Sequence, residues 1–370
     1  MVGTRESFGL GLVRLYITVI VQTRLQLTFD PREESSWATL AKVDTCRDYV
    51  PFPAQPTCFQ FRVISQAFKL LNLIINSEKK NMDNSTTGPT PKRIAVVTGS
   101  NKGIGLETCR QLLSNGVKVV LTARDEAKGA VALEKLRASA PTDVVFHQLD
   151  VTDPRSVDAF ANFVKTQFGK LDILVNNAGI LGKTPRSQLP PDSVSTGETY
   201  QGAEDCLNTN YYGAKRVTEA LMPLLLISQS PRIVNVSSIY GKLQHIPSKD
   251  LQKEINDVDT LTDDQLDELV QSFLNDFKKG DLGKNGWPTQ SSAYRVSKVA
   301  VNAYTRLLAK RFPTICCSCV DPGFVKTDMN GNAGILPVQE GAKVVVTAAL
   351  LPDGSPSGLF YDANHVASYE

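Results

Sequence analysis

Short apolar segments alternate with longer amphipathic segments from about residue 93 to the end of the chain. The apolar segments are rich in valine, isoleucine and leucine, which is typical of strands buried on both faces. The predicted strands are 94–97, 117–121, 144–149, 171–175, 232–236, 315–320 and 359–361. Predicted helices cover about 106–113, 125–139, 203–226, 291–312 and 338–351, and another begins at Asp153-Pro154. These repeated units predict an α/β fold with a doubly wound parallel sheet and helices on both faces.

An insertion of about residues 242–290 interrupts this alternation within the single predicted domain. Thr262-Asp263-Asp264-Gln265 is a capping box that predicts the start of a helix. Leu266, Leu269, Val270 and Phe273 give that helix an apolar face, which must be buried somewhere.

Three glycines follow the first predicted strand directly, in Thr98-Gly-Ser-Asn-Lys-Gly-Ile-Gly105. Gly99 permits a tight turn, Gly103 allows the backbone to approach a pyrophosphate, and Gly105 allows helix and strand to pack closely. The free N–H groups at the start of the next helix would face the anion. This order of elements predicts a Rossmann-type dinucleotide-binding sheet, and an ordinary strand-to-helix turn is the alternative.

Polar motifs also follow the carboxyl ends of the other predicted strands, which is where ligands bind in parallel sheets of this kind. The motifs are Thr122-Ala123-Arg124, Asp150-Val151, Asn176-Asn177-Ala178-Gly179, Ser237-Ser238 and Asp321-Pro322-Gly323. The strand order therefore predicts that these motifs share one site.

Tyr294 and Lys298 lie four residues apart on a predicted helix, so both side chains share one face. A free tyrosine has a pKa of about 10, and a neighbouring ammonium group lowers that pKa by stabilising the phenolate. At the end of the fifth strand, Ser238 can donate a hydrogen bond to a substrate carbonyl, and Ser237 is the competing choice. The alternative for Tyr-x-x-x-Lys is a core tyrosine beside a solvated lysine.

Net charge and composition argue against several classes of binding protein. The net charge of +2 provides no footprint for nucleic acid or for a polybasic membrane patch. The seven cysteines are irregularly spaced, and the three histidines are scattered, so no metal site is predicted. We expect buried thiols, a reducing compartment and cytoplasmic localisation.

Residues 1–81 carry no recognisable chemistry and differ in pattern from the rest of the chain. The apolar run from Leu10 to Val21 is interrupted by Arg14 and is too short to span a membrane. A polar leader beginning at Met82 directly precedes the first strand. We therefore interpret Met82 as the natural start, residues 1–81 as a disordered extension or gene-model artefact, and 82–370 as the folded domain.

These motifs, together with Asn210-Tyr211-Tyr212-Gly213, resemble the short-chain dehydrogenase/reductase family. The resemblance favours Ser238 over Ser237, because the family's serine lies three residues before a glycine, here Gly241. It implies a tetrad formed by Ser238, Tyr294, Lys298 and Asn210. In that tetrad Asn210 would hold a water that relays protons to the lysine. A helix asparagine bonded to the backbone is the alternative, and Asn208 is close enough to be mistaken for it.

The resemblance also implies NADPH as the cofactor. Family members that bind NAD carry an acid near the end of the second strand, whereas Arg124 stands there in this chain. With Asn101 and Lys102 in the glycine loop, Arg124 suits a 2′-phosphate. The positions implied to contact the cofactor are Gly99, Asn101, Lys102, Gly103, Ile104, Gly105, Arg124, Asp150, Val151, Asn177, Ala178, Gly179, Tyr294, Lys298, Pro322, Gly323, Val325 and Thr327.

The long gap between Ser238 and Tyr294 resembles a narrower group within the family. That group contains monomeric carbonyl reductases and the plant salutaridine reductase and menthone/neomenthol reductase type. It implies a carbonyl reductase. The apolar residues near the predicted site favour a bulky apolar ketone such as a terpenoid or alkaloid; they are Ile180, Leu181, Tyr240, Trp287 and Phe324. The apolar stripe of the inserted helix, folded back over the long helices, would cover the surface that other members use to dimerise, so we expect a monomer. Alternatives are reduction of a conjugated C=C bond and a non-catalytic NADP(H)-binding regulator. Asp321 departs from the small residue or cysteine usual in that group.

Overall fold

The apolar segments form one eight-stranded sheet in a computed structural model, which describes residues 92–138, 143–183, 197–363 and 365–370. The strand order is β3-β2-β1-β4-β5-β6-β7-β8, and all neighbouring pairs are parallel except β7 and β8. The strands are β1 Ile94–Val97, β2 Lys118–Ala123, β3 Val144–Gln148, β4 Ile173–Asn176, β5 Arg232–Val236, β6 Cys316–Asp321, β7 Leu359–Asp362 and β8 His365–Ala367. The predicted doubly wound α/β fold is confirmed.

Helices connect the strands and cover both faces of the sheet. They are α1 Gly103–Ser114, α2 Glu126–Arg137, α3 Pro154–Phe168, α4 Tyr200–Leu207, α5 Gly213–Leu225, α6 Lys249–Asn256, α7 Asp263–Lys279, α8 Ser292–Arg311 and α9 Val338–Ala349. A π-helical turn, Asn208–Tyr212, joins α4 to α5. Short 3₁₀ turns occur at Ile239–Gly241, Leu243–His245 and Asp328–Asn330.

The strands are apolar throughout because each contributes side chains to two separate cores. In β1, Ile94 and Val96 belong to a cluster that also contains residues of α3, α5, α7 and α8. The alternate residues Ala95 and Val97 belong to a second cluster, which is formed with α1, α2 and α9. Side chains of a strand point alternately to opposite faces, so burial on both faces requires a continuous apolar run.

Local sequence signals set several helix ends as predicted. The Asp153 carboxylate accepts a hydrogen bond from the backbone N–H of Arg155, and Pro154 occupies the first turn of α3. Thr262 and Gln265 form the reciprocal capping box at the start of α7. These side chains satisfy backbone groups that a helix end leaves unpaired.

The insertion folds against the helices that follow the strand ends. α7 packs on α4 and α8, and this contact buries Leu266, Val270, Phe273 and Leu274 in the first core cluster. Its polar side also contacts the body of the domain, since Asp267 accepts a hydrogen bond from the Tyr211 hydroxyl at 2.7 Å. The predicted apolar stripe is therefore buried within the chain itself.

Some elements were not predicted. β8 has only three residues and two of them are exposed, so it lacks an apolar run that would mark it as a strand. α6 lies within the insertion, with Ile255 as its buried residue. The predicted helix 203–226 contains a π-helical turn, because the apolar spacing of a continuous helix does not reveal one extra residue in a turn.

The predicted extension and the proposed start at Met82 lie outside the described residues, as does most of the loop before α4. Within the described ranges, no helix is both long enough and apolar enough to cross a membrane.

Candidate active site

The glycine loop between β1 and α1 adopts backbone conformations that favour glycine over other residues. Gly99 has φ +60° and Gly103 has φ +56°. A Cβ atom on Gly105 would lie 2.4 Å from Nδ2 of Asn177 and 2.9 Å from the Gly99 carbonyl oxygen. Close packing against the loop thus requires glycine at 105, as predicted.

Thr98 and Asn177 tie this loop to the end of β4. The Asn177 amide donates hydrogen bonds to the carbonyl oxygens of Thr98 at 2.9 Å and Gly99 at 3.1 Å. The Thr98 hydroxyl accepts hydrogen bonds from the backbone N–H groups of Asn177 and Ala178. These bonds fix the loop's shape, so the amide of Asn177 supports the loop.

The start of α1 is suited to an anion. Lys102 precedes the helix in an extended conformation, and no side chain of the described residues caps this end. The first turn carries no acidic residue. Uncapped N–H groups and the positive end of the helix dipole favour a phosphate at this point. The glycine loop therefore fits the pyrophosphate of a dinucleotide.

Arg124 lies exposed at the end of β2, near this loop in the fold. The next residue, Asp125, accepts a hydrogen bond from the backbone N–H of Lys128 and caps α2. The one carboxylate adjacent to Arg124 in sequence is therefore occupied by helix capping.

Lys102, the other cation predicted for a 2′-phosphate, forms a 2.9 Å ion pair with Asp328 between two exposed side chains.

Asp150 and Val151 follow β3 as predicted, and part of their hydrogen-bonding capacity is used within the chain. Oδ1 of Asp150 accepts hydrogen bonds from the backbone N–H and hydroxyl of Thr152. The Val151 carbonyl oxygen accepts one from Arg216. The second carboxylate oxygen of Asp150 takes no part in these two bonds.

The segment after β6 faces the glycine loop. Gly323 has φ +81°, and Thr327 begins a 3₁₀ turn with its own capping box. A Cβ atom on Gly103 would lie 3.6 Å from Cγ2 of Thr327. Residues far apart in sequence therefore bound one cleft, in which Pro322 and Val325 are buried and support the turn.

Tyr294 and Ser238 lie side by side at the carboxyl edge of the sheet. Burial raises the pKa of Tyr294 above its ordinary value, and the hydrogen bond to the Ser238 side chain opposes that shift. The direction is opposite to the lowering that the sequence predicted from the neighbouring ammonium. The phenol is therefore protonated at neutral pH, as an unshifted tyrosine also is.

Lys298 is buried with its Nζ atom 2.8 Å from the Val236 carbonyl oxygen and 5.6 Å from the centre of the Tyr294 ring. Burial lowers the pKa of this ammonium to about 8. The group is still mostly protonated at pH 7. A buried cation near the tyrosine is thus present, as the Tyr-x-x-x-Lys spacing predicts.

Asn210 lies in the π-helical turn, and its side-chain amide hydrogen-bonds to other groups of the chain. Its Oδ1 atom accepts a hydrogen bond from the Ile180 backbone N–H at 2.8 Å. Its Nδ2 atom donates to the Ile180 carbonyl oxygen and to the Ser297 hydroxyl, both at 3.0 Å. The amide bridges the loop after β4 and α8, which is the alternative that the sequence left open.

The residues that hold the Ser238 turn against α8 were not predicted from the sequence. Ser237 donates a 2.6 Å hydrogen bond to Oδ1 of Asn302, and Asn302 donates to the Gly241 carbonyl oxygen at 2.9 Å. Asn302 lies four residues after Lys298, so the same helical spacing that pairs Tyr294 with Lys298 was an available signal. Because Ser237 is buried in this contact, Ser238 is the serine beside Tyr294.

Of the apolar side chains predicted to line the substrate cleft, three are exposed and one, Trp287, is buried. Ile180, Tyr240 and Phe324 each expose more than a third of their surface. Trp287, by contrast, is buried: its ring packs edge-on against Phe273 and its indole N–H donates to Asp276. The prediction that Trp287 lines the substrate cleft is wrong, because the indole anchors the insertion.

Comparison with known proteins places these features in context. The family model described as short chain dehydrogenase matches residues 93–248. The chain is 48% identical over 302 residues to salutaridine reductase of Papaver somniferum, covering 76% of this chain and 97% of that protein. It is also 48% identical over 290 residues to (+)-neomenthol dehydrogenase of Arabidopsis thaliana, covering 75% of this chain and 98% of that protein.

Solved structures agree with the fold. The structure of salutaridine reductase from Papaver somniferum matches with a TM-score of 0.68 at 48% identity, covering 73% of this chain and 99% of that chain. NADPH-bound carbonyl reductase from chicken fatty liver matches with a TM-score of 0.55 at 27% identity, covering 75% of this chain and 99% of that one.

Gly241→Ala is expected to displace the Ser238 turn from α8. The added Cβ would lie 2.6 Å from Nδ2 of Asn302 and 2.7 Å from the Ser237 hydroxyl oxygen. We expect a loss of about 1–3 kcal/mol in the free energy of unfolding, measured by urea denaturation. Gly283→Ala is the matched control, since its nearest neighbour would be 3.5 Å away. Equal unfolding midpoints for the two variants would contradict the close packing of this turn.

Proposed function

Because this chain belongs to the short-chain dehydrogenase/reductase family, we propose that it is an NADPH-dependent carbonyl reductase that converts a ketone or aldehyde to an alcohol. The observation that carries the proposal is the meeting of Ser238, Tyr294 and buried Lys298 at the strand ends that also bear the anion-binding glycine loop. This arrangement puts a proton donor and a hydroxyl group beside a dinucleotide cleft.

When bound, NADPH supplies the hydride that the carbonyl carbon accepts. Ser238 donates a hydrogen bond to the carbonyl oxygen, where negative charge develops as the carbon is reduced. Tyr294 then gives its proton to that oxygen, so a hydride and a proton together form the alcohol. The same groups serve the reverse oxidation, with Tyr294 receiving the proton.

Lys298 and Asn210 take supporting roles in this proposal. The Lys298 ammonium provides positive charge beside Tyr294 and a donor for the nicotinamide ribose. The Asn210 side-chain amide hydrogen-bonds both to the Ile180 backbone and to Ser297 of α8. Because Tyr294 and Lys298 lie on the same helix, the role of Asn210 is to position them. The family's tetrad also implies that Asn210 holds a water that relays protons to Lys298, and we keep this role as part of the proposal.

The substrate class that we propose is a bulky apolar ketone. The exposed apolar residues Ile180, Tyr240 and Phe324 near the site support this choice. Relatives named salutaridine reductase and (+)-neomenthol dehydrogenase point to alkaloid and terpenoid ketones. The direct test is oxidation of NADPH, followed by absorbance, with cyclic monoterpene ketones, alkaloid ketones, quinones and simple aldehydes. Tight NADPH binding without turnover of any carbonyl class would favour a regulatory protein instead.

Tyr294→Phe is expected to lower kcat for ketone reduction by about 10²–10⁴-fold, because it removes the proton donor and little else. NADPH affinity, measured by fluorescence titration, should change little. Tyr361→Phe is the control, since Tyr361 of β7 packs in the second core cluster, outside the proposed site. Retention of wild-type kcat by Tyr294→Phe would show that another group donates the proton.

Arg124→Asp is expected to raise the Kd for NADPH about tenfold or more, because a carboxylate would then face the 2′-phosphate. The Kd for NADH should change much less, since NADH lacks that phosphate. Arg137→Asp at the far end of α2 controls for the change in net charge. Equal losses of affinity for both cofactors would show that Arg124 does not contact the 2′-phosphate.

We also propose a monomer, with the cytoplasm as its location. In much of the family, the helices equivalent to α5 and α8 pack against a second subunit. Here α7 packs on α4 and α8 and buries its apolar stripe there, so it occupies surface that a partner would use. Light scattering at micromolar concentration should yield the mass of one chain. A stable dimer or tetramer would refute this assignment for α7.

A further inference from the structure

Asn302 of α8 carries a buried amide to which the proposed reaction assigns no role. The residue is only 2% exposed. Its Oδ1 atom accepts a 2.6 Å hydrogen bond from the Ser237 hydroxyl, and its Nδ2 atom donates to the Gly241 carbonyl oxygen at 2.9 Å. One side chain of α8 therefore holds two points of a segment that is distant in sequence.

These two points lie on either side of Ser238. Ser237 directly precedes it, and Gly241 ends the 3₁₀ turn that directly follows it. Within the turn, the Gly241 N–H donates to the Ser238 carbonyl oxygen at 2.8 Å, and the Tyr240 N–H donates to the Ser238 hydroxyl oxygen at 3.3 Å. The position of the Ser238 hydroxyl consequently follows the position of the turn.

Two further bonds anchor the end of β5, and both act before Ser238. The Val236 carbonyl oxygen accepts a bond from α8 at 2.8 Å. The Ser237 N–H donates to a carbonyl oxygen of β6 at 2.7 Å. Asn302 differs from these anchors because it also holds Gly241, beyond the serine.

The turn and α8 are in close contact at this point. A Cβ atom on Gly241 would lie 2.6 Å from Nδ2 of Asn302 and 3.0 Å from the Lys298 carbonyl oxygen. Loss of the amide would leave a buried hydroxyl and a buried carbonyl without their partners, which is unfavourable unless the turn moves. The turn is therefore expected to shift when Asn302 is replaced.

We propose that Asn302 is a positioning residue that sets the place of the Ser238 hydroxyl relative to Tyr294. Asn302 follows Lys298 by four residues and Tyr294 by eight, so the three side chains lie along one side of α8. The helix that carries the proton donor thereby also places the group that binds the carbonyl oxygen. This assignment rests on the proposed function, in which Ser238 and Tyr294 must meet one oxygen atom.

The experiment is a double-mutant cycle of Asn302→Leu and Ser238→Ala. Leucine is close to asparagine in size and removes both hydrogen bonds. We expect Asn302→Leu alone to lower kcat about tenfold and to change the KM for NADPH much less, because neither bond touches the glycine loop. In the Ser238→Ala background the same replacement should lower kcat less than about twofold, because the hydroxyl through which it acts is gone.

Thr305→Val is the matched control. Thr305 is fully buried one turn further along α8, and its hydroxyl oxygen accepts a 2.9 Å hydrogen bond from the Asn235 amide. The control therefore removes a buried hydrogen bond of the same helix without touching the Ser238 turn, and it should keep the wild-type kcat. An equal loss of kcat in Thr305→Val and Asn302→Leu would overturn the positioning role.

Ser237→Ala removes only the 2.6 Å bond and decides the matter if Asn302→Leu does not fold. We expect it to lower kcat about threefold, and a wild-type kcat in this variant would then refute the proposal.

Hydrogen exchange measured by mass spectrometry gives a readout that needs no substrate. Segment 237–243 should exchange faster in Asn302→Leu than in wild type or Thr305→Val. A wild type that reduces no carbonyl would overturn the proposed function, while the exchange data would still test the hold of Asn302 on the turn. Unchanged exchange in this segment would overturn the positioning role, as would losses of kcat that are fully additive in the cycle.

Discussion

The buried ammonium of Lys298 is the contact on which the site depends. Removing a cation from water is costly, and the cost is evident in a pKa lowered to about 8. The charge is retained because Val236 offers its carbonyl oxygen at 2.8 Å and the Asp321 carboxylate lies nearby. Val236 ends β5 and Ser238 follows two residues later, so one bond sets α8 against the strand end and brings Tyr294 beside Ser238.

Burial acts in opposite directions on the two titratable groups of α8. It raises the pKa of Tyr294 and lowers that of Lys298, because desolvation disfavours the charged form of each. At neutral pH the phenol therefore keeps the proton that reduction requires, while the ammonium remains mostly charged. A lysine near a tyrosine need not produce a phenolate, since the depth at which both are buried decides which form prevails.

The sequence predicted the sheet and the site motifs because both depend on local patterns. Strands buried on two faces must be apolar throughout, and Gly105 must be glycine wherever the helix meets the loop this closely. The roles of Asn210, Trp287 and Lys102 depend on contacts with distant segments, namely Ile180, Phe273 and Asp328. A single sequence does not encode such pairings in a readable pattern. For the same reason the π-helical turn and β8 were not predicted.

The insertion acts on the site through the π-helical turn as well as by covering surface. Asp267 of α7 accepts a hydrogen bond from Tyr211 at 2.7 Å and forms an ion pair with Lys215. Tyr211 directly follows Asn210, whose amide fixes Ile180 and Ser297. A π-helical turn adds one residue to a helix, and such turns are frequent at functional sites. Because α7 contacts Tyr211, the residue next to Asn210, the inserted segment also supports the geometry at the centre of the site.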